Sequence, residues 1–212
     1  EKDMVVSLVG FANAVDGEMW YRIRCVDVRG KFVEGYVSGA YANPYVAKIT
    51  GVQGTPDSTT ALTISWTPQE GVTSYQIYRA DTVKGTFSRV ATVNGSKTSY
   101  KNTKLTKCGQ YLYKVRAYVN VNGKKTYGKY SDVVVLGAKG TNKKVKTTVA
   151  TKMYSISGSS FKNLTTVPKG ISLKATHNIT DLNGNLWYYC TGKVNGKSVT
   201  GYVLVKDLKV VK

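Results

Sequence analysis

The sequence predicts an all-β protein, and three observations predict it. Apolar residues recur at every second position in short runs, and these runs are rich in Tyr and Val. Clusters of Gly, Asn, Asp and Ser separate them. No 12-residue window carries an apolar stripe at helical spacing between capping residues. The length of 212 residues suits one large unit or two to three small ones. A hydrophobic content of 42% is too high for a disordered chain, and no 18-residue apolar run is present that could form a membrane-spanning helix. The chain opens at Glu1 with no basic stretch leading into an apolar one, so no signal peptide is visible and the sequence reads as a processed or excised fragment.

From the N-terminus, the first organising feature is a repeat. Residues 28–37 read V-R-G-K-F-V-E-G-Y-V and residues 194–203 read V-N-G-K-S-V-T-G-Y-V, identical at seven of ten positions. Upstream, Gly17, Trp20 and Tyr21 match Gly184, Trp187 and Tyr188, with one residue inserted between the two blocks. Arg29-Gly30 and Asn195-Gly196 predict two-residue hairpin turns, because Gly tolerates the positive φ such turns need. The Gly-Tyr-Val that follows predicts a strand beginning at a tight bend. A module built this way is a small twisted barrel. The first copy, residues 1–46, then lacks its opening strand, since its counterpart begins near Val145 and the match would start about 20 residues before Glu1. Such a short piece buries too little surface alone. It is expected to lean on the middle unit, on a missing segment, or on a partner chain by exchange.

Residues 47–137 differ in character. The runs Thr63–Trp66, Tyr75–Tyr78 and Tyr111–Tyr118 alternate cleanly and predict strands. Lys139-Gly140-Thr141-Asn142-Lys143-Lys144 is a polar linker into the third unit, residues 138–212. The formal charge of +19 is unevenly placed. Residues 1–46 carry 5 basic and 6 acidic side chains, residues 47–137 carry 13 and 4, and residues 138–212 carry 13 and 2.

The middle segment resembles a fibronectin type III domain. The likeness rests on Trp66 in S-W-T-P, on S-Y-Q-I-Y-R at 74–79, and on Leu105 six residues before Tyr111. It extends through Tyr111-x-Tyr113-x-Val115-x-Ala117 to the closing Tyr127-Gly128-Lys129-Tyr130-Ser131. The resemblance implies a β-sandwich with Trp66 between its sheets and Tyr111 forming a tyrosine corner. The Lys- and Tyr-rich composition looks like versions found in surface proteins of Gram-positive gut anaerobes. The flanking copies resemble bacterial Src-homology 3-like domains, through Trp20-Tyr21 with Gly35-Tyr36-Val37 and Trp187-Tyr188 with Gly201-Tyr202-Val203. That likeness implies barrels that bind peptidoglycan or its crossbridges in secreted or wall-associated proteins.

The chemistry-bearing residues are few. Cys25, Cys108 and Cys190 fall one per unit, which excludes a disulfide within any unit, and a catalytic thiol needs a base. The one histidine, His177, would have to reach Cys190. Asp181-Leu182-Asn183-Gly184-Asn185 lacks the spacing and closing Glu of a calcium loop and reads as a turn. No cofactor, metal site or catalytic residue is expected. The candidate ligand-binding residues are Tyr21, Tyr36, Tyr154, Tyr188, Tyr189 and Tyr202, which could line a groove for a peptide or glycan stem. The Lys-dominated charge suits diffuse attraction to an anionic cell-wall polymer better than specific nucleic-acid readout. The first reading is a non-enzymatic cell-surface fragment binding peptidoglycan or wall glycan, with the sandwich as spacer. The rivals are an adhesin or stalk engaging a host glycoprotein or immune protein, and the targeting half of a wall hydrolase. Monomer and exchanged dimer both stay open.

Overall fold

The structure is a computed structural model that describes residues 6–140, 142–157 and 160–211. Glu1 and linker residue Thr141 lie outside the described residues. The predicted all-β class holds: the only helical element described is a single 3-10 turn at Val205–Asp207.

The first unit is a three-stranded antiparallel meander of β1 (Ser7–Asn13), β2 (Met19–Val26) and β3 (Phe32–Ser38), in that spatial order. The β2–β3 connection departs from the predicted two-residue turn. Asp27 and Lys31 close it instead, with the Asp27 amide donating to the Lys31 carbonyl at 2.9 Å. The Asp27 Oδ1 accepts the amides of both Arg29 and Lys31 at 2.9 Å, which leaves three residues in the loop and only Gly30 at positive φ. At Asn195-Gly196 no such carboxylate intervenes. Both residues have positive φ, and the two-residue turn forms as predicted.

The second unit is a sandwich built from β4 (Gln53–Ser58), β5 (Ala61–Ser65), β6 (Ser74–Ala80), β7 (Ser88–Asn94), β8 (Ser99–Asn102), β9 (Gln110–Val121), β10 (Lys124–Tyr127) and β11 (Val134–Gly137). One sheet runs β4-β5-β8; the other runs β10-β9-β6-β7, with β11 also on β9. The alternation read from the sequence places Leu62, Ile64, Tyr75, Ile77, Tyr113 and Val115 between the sheets, all fully buried. Trp66 fills the same core, its ring 5.2 Å from that of Tyr75. Truncating such an aromatic typically costs about 3–5 kcal/mol. The Tyr111 hydroxyl accepts the Thr106 amide at 2.7 Å beside buried Leu105, so the corner implied by their spacing is present.

The third unit comprises β12 (Lys143–Thr147), β13 (Thr151–Ser157), β14 (Ser160–Val167), β15 (Ser172–Thr180), β16 (Leu186–Val194), β17 (Lys197–Leu204) and β18 (Leu208–Val211), in the order β14-β13-β17-β16-β15-β12-β18. Its two edge strands, β14 and β18, do not pair, so the expected closed barrel is not formed, and the first unit is likewise an open sheet. The reason lies at one edge. β13 meets β17 at a single residue pair, Tyr154↔Tyr202, and β14 then carries Phe161 onto Trp187, 5.1 Å away, instead of turning back toward β18.

The repeat is structural down to its register. Phe11↔Tyr21 and Ala12↔Trp20 in the first unit correspond to Asn178↔Tyr188 and Ile179↔Trp187 in the third. A bulge between Leu8 and Gly10 recurs between Ala175 and His177. Thus β1-β2-β3 reproduces β15-β16-β17. The two copies bury that shared motif differently. In the third unit Tyr188, Cys190 and Val203 face an internal core with Val145, Met153 and Val167. In the first, the equivalent Tyr21, Ile23 and Val37 lie against the sandwich core through Val46, Val119 and Val121. The shared face of the first copy therefore packs against the middle unit, where that of the third unit packs on its own internal core.

Both flanking units dock through close contacts. A Cβ at Gly71 would lie 2.5 Å from the Leu8 carbonyl oxygen, and Asn122 donates to Asn13 at 2.9 Å. At the other end of β9, the Gln110 side chain donates to the Thr180 carbonyl at 2.8 Å and accepts its amide at 2.6 Å. Ala80, Leu112 and Val135 of the sandwich share a buried cluster there with Ile179 and Trp187.

Candidate functional site

The aromatic side chains of the third unit are sorted by the alternation of β16. Trp187 and Tyr189 point to one face, Tyr188 and Cys190 to the other. On the first face Tyr189 stacks on His177 at 4.7 Å, Tyr202 meets both rings edge-on at 5.0 and 5.8 Å, and the Tyr202 hydroxyl lies 3.1 Å from His177 Nε2. Beside them, Tyr154 packs edge-on against Trp187 at 5.5 Å. Burial drives the His177 imidazole down to about 4 and raises the phenols of Tyr189 and Tyr202. At neutral pH all three are uncharged hydrogen-bonding groups set in an apolar surround.

Of the six candidate tyrosines, Tyr154, Tyr189 and Tyr202 come together on this face, half-buried. Tyr188 lies on the opposite side, where Lys143 sits 5.6 Å over its ring. Together with Cys108, His177 and Asn178 these two line a recess of about 100 Å³ in the seam between sandwich and third unit. Tyr21 is 8% exposed, beneath the sandwich, whereas Tyr36 stands 60% exposed on the open sheet. Tyr21 and Tyr36, although matched in sequence to Tyr188 and Tyr202, thus have quite different surroundings.

His177 does not reach Cys190. The histidine packs on the Tyr202 face, while Cys190 is buried in the internal core, where burial pushes its thiol up to about 12. The loop at 181–185 is a turn organised by its own carboxylate. Asp181 Oδ1 accepts the amides of Asn183 and Asn185 at 2.9 Å, and Oδ2 accepts the Trp187 indole at 2.9 Å. Burial disfavours that charge, but the bonds from Trp187 and Asn185 hold the carboxyl below its ordinary range.

A second group was not anticipated from the sequence: a row of cations laid over rings on the outer face of the sandwich. Lys114 lies 4.1 Å from the Tyr130 ring and 4.4 Å from Phe87, and Arg116 lies 4.2 Å from Tyr127 and 4.8 Å from Tyr130. Gln76 and Tyr78 accept from Arg116 at 2.9 and 3.0 Å. The signal available was the alternation of Lys114 and Arg116 with core residues along β9, which places both on one face.

A family model of the fibronectin type III domain matches residues 47–134, the stretch that carries the two sheets, Trp66 and the Tyr111 corner. Residues 47–134 are a fibronectin type III domain. Domains of this family are generally non-catalytic binding or spacer modules, common in extracellular and surface proteins. Among solved structures, the chain is similar to a two-domain fibronectin type III segment of chicken tenascin, with 23% identity and a TM-score of 0.40 over 57% of this chain and 65% of that one. It is similar to the fifth such domain of Drosophila Lar (20% identity, TM-score 0.36, 46% of this chain, 100% of that one). The sixth domain of human fibronectin type III domain containing protein 3 is a further likeness (20%, 0.37, 46% and 90%). The chain thus spans about two thirds of the tenascin segment's length. No curated protein sequence matches the chain.

Proposed function

We propose that this chain is a non-catalytic extracellular module that attaches to peptidoglycan or to an anionic polymer of a Gram-positive cell wall. Its repeated end units make the attachment, and the fibronectin type III domain acts as spacer. The observation that carries this reading is the charge of the third unit. Residues 138–212 hold 13 lysines and two carboxylates. Both carboxylates are engaged internally, Asp181 by Trp187 and Asp207 by the Thr151 hydroxyl at 2.6 Å. The ion pairs among the described residues all fall between Arg22 and Asp132. The described lysines of the third unit are therefore without an ion-pair partner among the described residues, and a polyanion would supply their counter-charges. Tyr154, Tyr189 and Tyr202, gathered on one face, offer stacking and hydrogen bonding to a peptide or glycan stem.

Co-sedimentation with purified sacculi, with and without teichoic acid and at low and high salt, tests the reading. Binding that persists in high salt on teichoic-acid-free sacculi and falls in Tyr202→Ser supports a peptidoglycan groove. Binding lost under both treatments assigns it to the lysines and the anionic polymer. No binding in any condition refutes the proposal.

A second reading, an adhesin engaging a host glycoprotein, is favoured by the Lys114–Arg116 row, since Tyr127 on that face is exposed. Under it, Tyr127→Ser weakens glycoprotein binding and leaves sacculus binding unchanged.

A further inference from the structure

Strand β9 places Lys114 and Arg116 on the outer face of the sandwich, two residues and about 7 Å apart. Beside them on β6, Tyr78 stands opposite Lys114 and Gln76 opposite Arg116. The Arg116 guanidinium is set among three phenol rings, 4.2 Å from Tyr127, 4.8 Å from Tyr130 and 5.4 Å from Tyr78. Its Nε donates to Gln76 Oε1 and its Nη2 to the Tyr78 hydroxyl. Those two bonds take up one edge of the planar fork. The Nη1–Nη2 edge, which presents two parallel N–H groups, has no acceptor among the described residues. Lys114 has only the Tyr130 and Phe87 rings as partners among the described residues. The carboxylates of the domain are committed to other cations. Residues 47–137 hold four of them: Asp57 pairs with Lys101, Glu70 with Arg24, Asp81 with Arg79 and Asp132 with Lys48.

We infer that this face binds an acidic sugar, a pyranose carrying a carboxylate or a sulfate ester, with its oxyanion on the open edge of the Arg116 fork. Rings and neutral acceptors surround the guanidinium, so its charge is poorly screened, and an oxyanion can take both free N–H groups at once. Tyr127, 42% exposed beside that fork, offers a ring to the C–H face of the sugar and a hydroxyl to its hydroxyl groups. Lys114 adds a point charge further along β9, which attracts the anion without fixing its orientation. The sandwich is then a binding domain as well as a spacer. The inference rests on the second reading above, engagement of a host glycoprotein through this face, and names the part of the glycoprotein that is held.

The test titrates the full chain with sialyllactose, sulfated lactose, neutral lactose and a tetraglutamate peptide, followed by backbone amide and Arg116 Nε–H resonances. Saturable shifts confined to the Arg116 side chain and to β6, β9 and β10 are expected with an acidic sugar, and the tighter of the two identifies the oxyanion. Neutral lactose and tetraglutamate are each expected to bind about tenfold more weakly or not at all. Arg116→Lys keeps the charge and loses the fork, and is expected to weaken binding about tenfold; Lys114→Gln gives a lesser loss and a shallower salt dependence. No saturable shifts with either acidic sugar at millimolar concentration overturns the inference, as does equal binding of lactose or tetraglutamate, which needs no variant to detect. Equal binding by a folded Arg116→Lys chain, or shifts that map to the lysines of the third unit, also overturns it. Glycoprotein binding that survives enzymatic removal of the acidic sugars and still falls in Tyr127→Ser overturns this inference while the second reading stands. Sugar binding without glycoprotein binding does the reverse.

Discussion

The sole histidine makes the stability of the third unit dependent on pH in a window where no other side chain ordinarily titrates. His177 is 4% exposed, and burial brings its imidazole down to about 4 from an ordinary value of about 6.5. In the unfolded chain it takes up a proton as pH falls through 6.5, while in the folded unit it stays neutral until about pH 4. The unfolded state therefore binds more protons across that interval, and stability falls as the pH is lowered. At pH 5 the loss relative to pH 8 is about 2 kcal/mol, and it levels off at about 3 kcal/mol below the folded value. Urea unfolding followed by tryptophan fluorescence at pH 8, 6, 5 and 4.5 measures this. His177→Gln, which retains a polar partner for the Tyr202 hydroxyl, is expected to flatten the dependence above pH 4.5. Proton resonances of the single imidazole give the folded midpoint directly. A midpoint near 6.5, or identical pH profiles for the two proteins, refutes the argument.

Two further outcomes follow from the close contacts. Gly137 has its hypothetical Cβ 2.5 Å from the Asn178 carbonyl oxygen, so Gly137→Val is expected to cost about 2–3 kcal/mol through overpacking and to speed proteolysis at the 138–142 connection. Tyr111→Phe strands the Thr106 amide and is expected to lower sandwich stability by about 1–2 kcal/mol in thermal unfolding, leaving the third unit's midpoint unchanged.

Much of the architecture was legible because it rests on local chemistry. Alternation along Tyr111–Tyr118 identified β9, the Leu105-to-Tyr111 spacing identified the corner, and Gly35/Gly201 with their tyrosines identified the duplicated strands. The Arg29-Gly30 turn was misread because Asp27, two residues before Arg29, captures its amide, a side-chain contact that the dipeptide alone does not reveal. Closure of the barrels was misread for a different reason: whether edge strands meet depends on distant pairings, and here β14 is drawn onto Trp187. The candidate tyrosines were legible as strand residues but not by face. Tyr188 and Tyr189 are neighbours that point apart, and Tyr21 and Tyr188 share a sequence context yet pack against different cores. The cation row needed the topology that brings Tyr130, Phe87 and β9 together.

Strand β9 carries a mechanical consequence. Its first residue, Gln110, grips the third unit, and Asn122, one residue past its other end, grips the first. Its 12 residues span about 40 Å at the usual rise per residue. With both seams intact, tension between the flanking units runs along β9, across the hydrogen bonds that tie it to β6 and β11. Loaded lengthwise, those bonds must yield together instead of one after another. The sandwich then acts as a tension-bearing strut, and its seams are the parts that slip first.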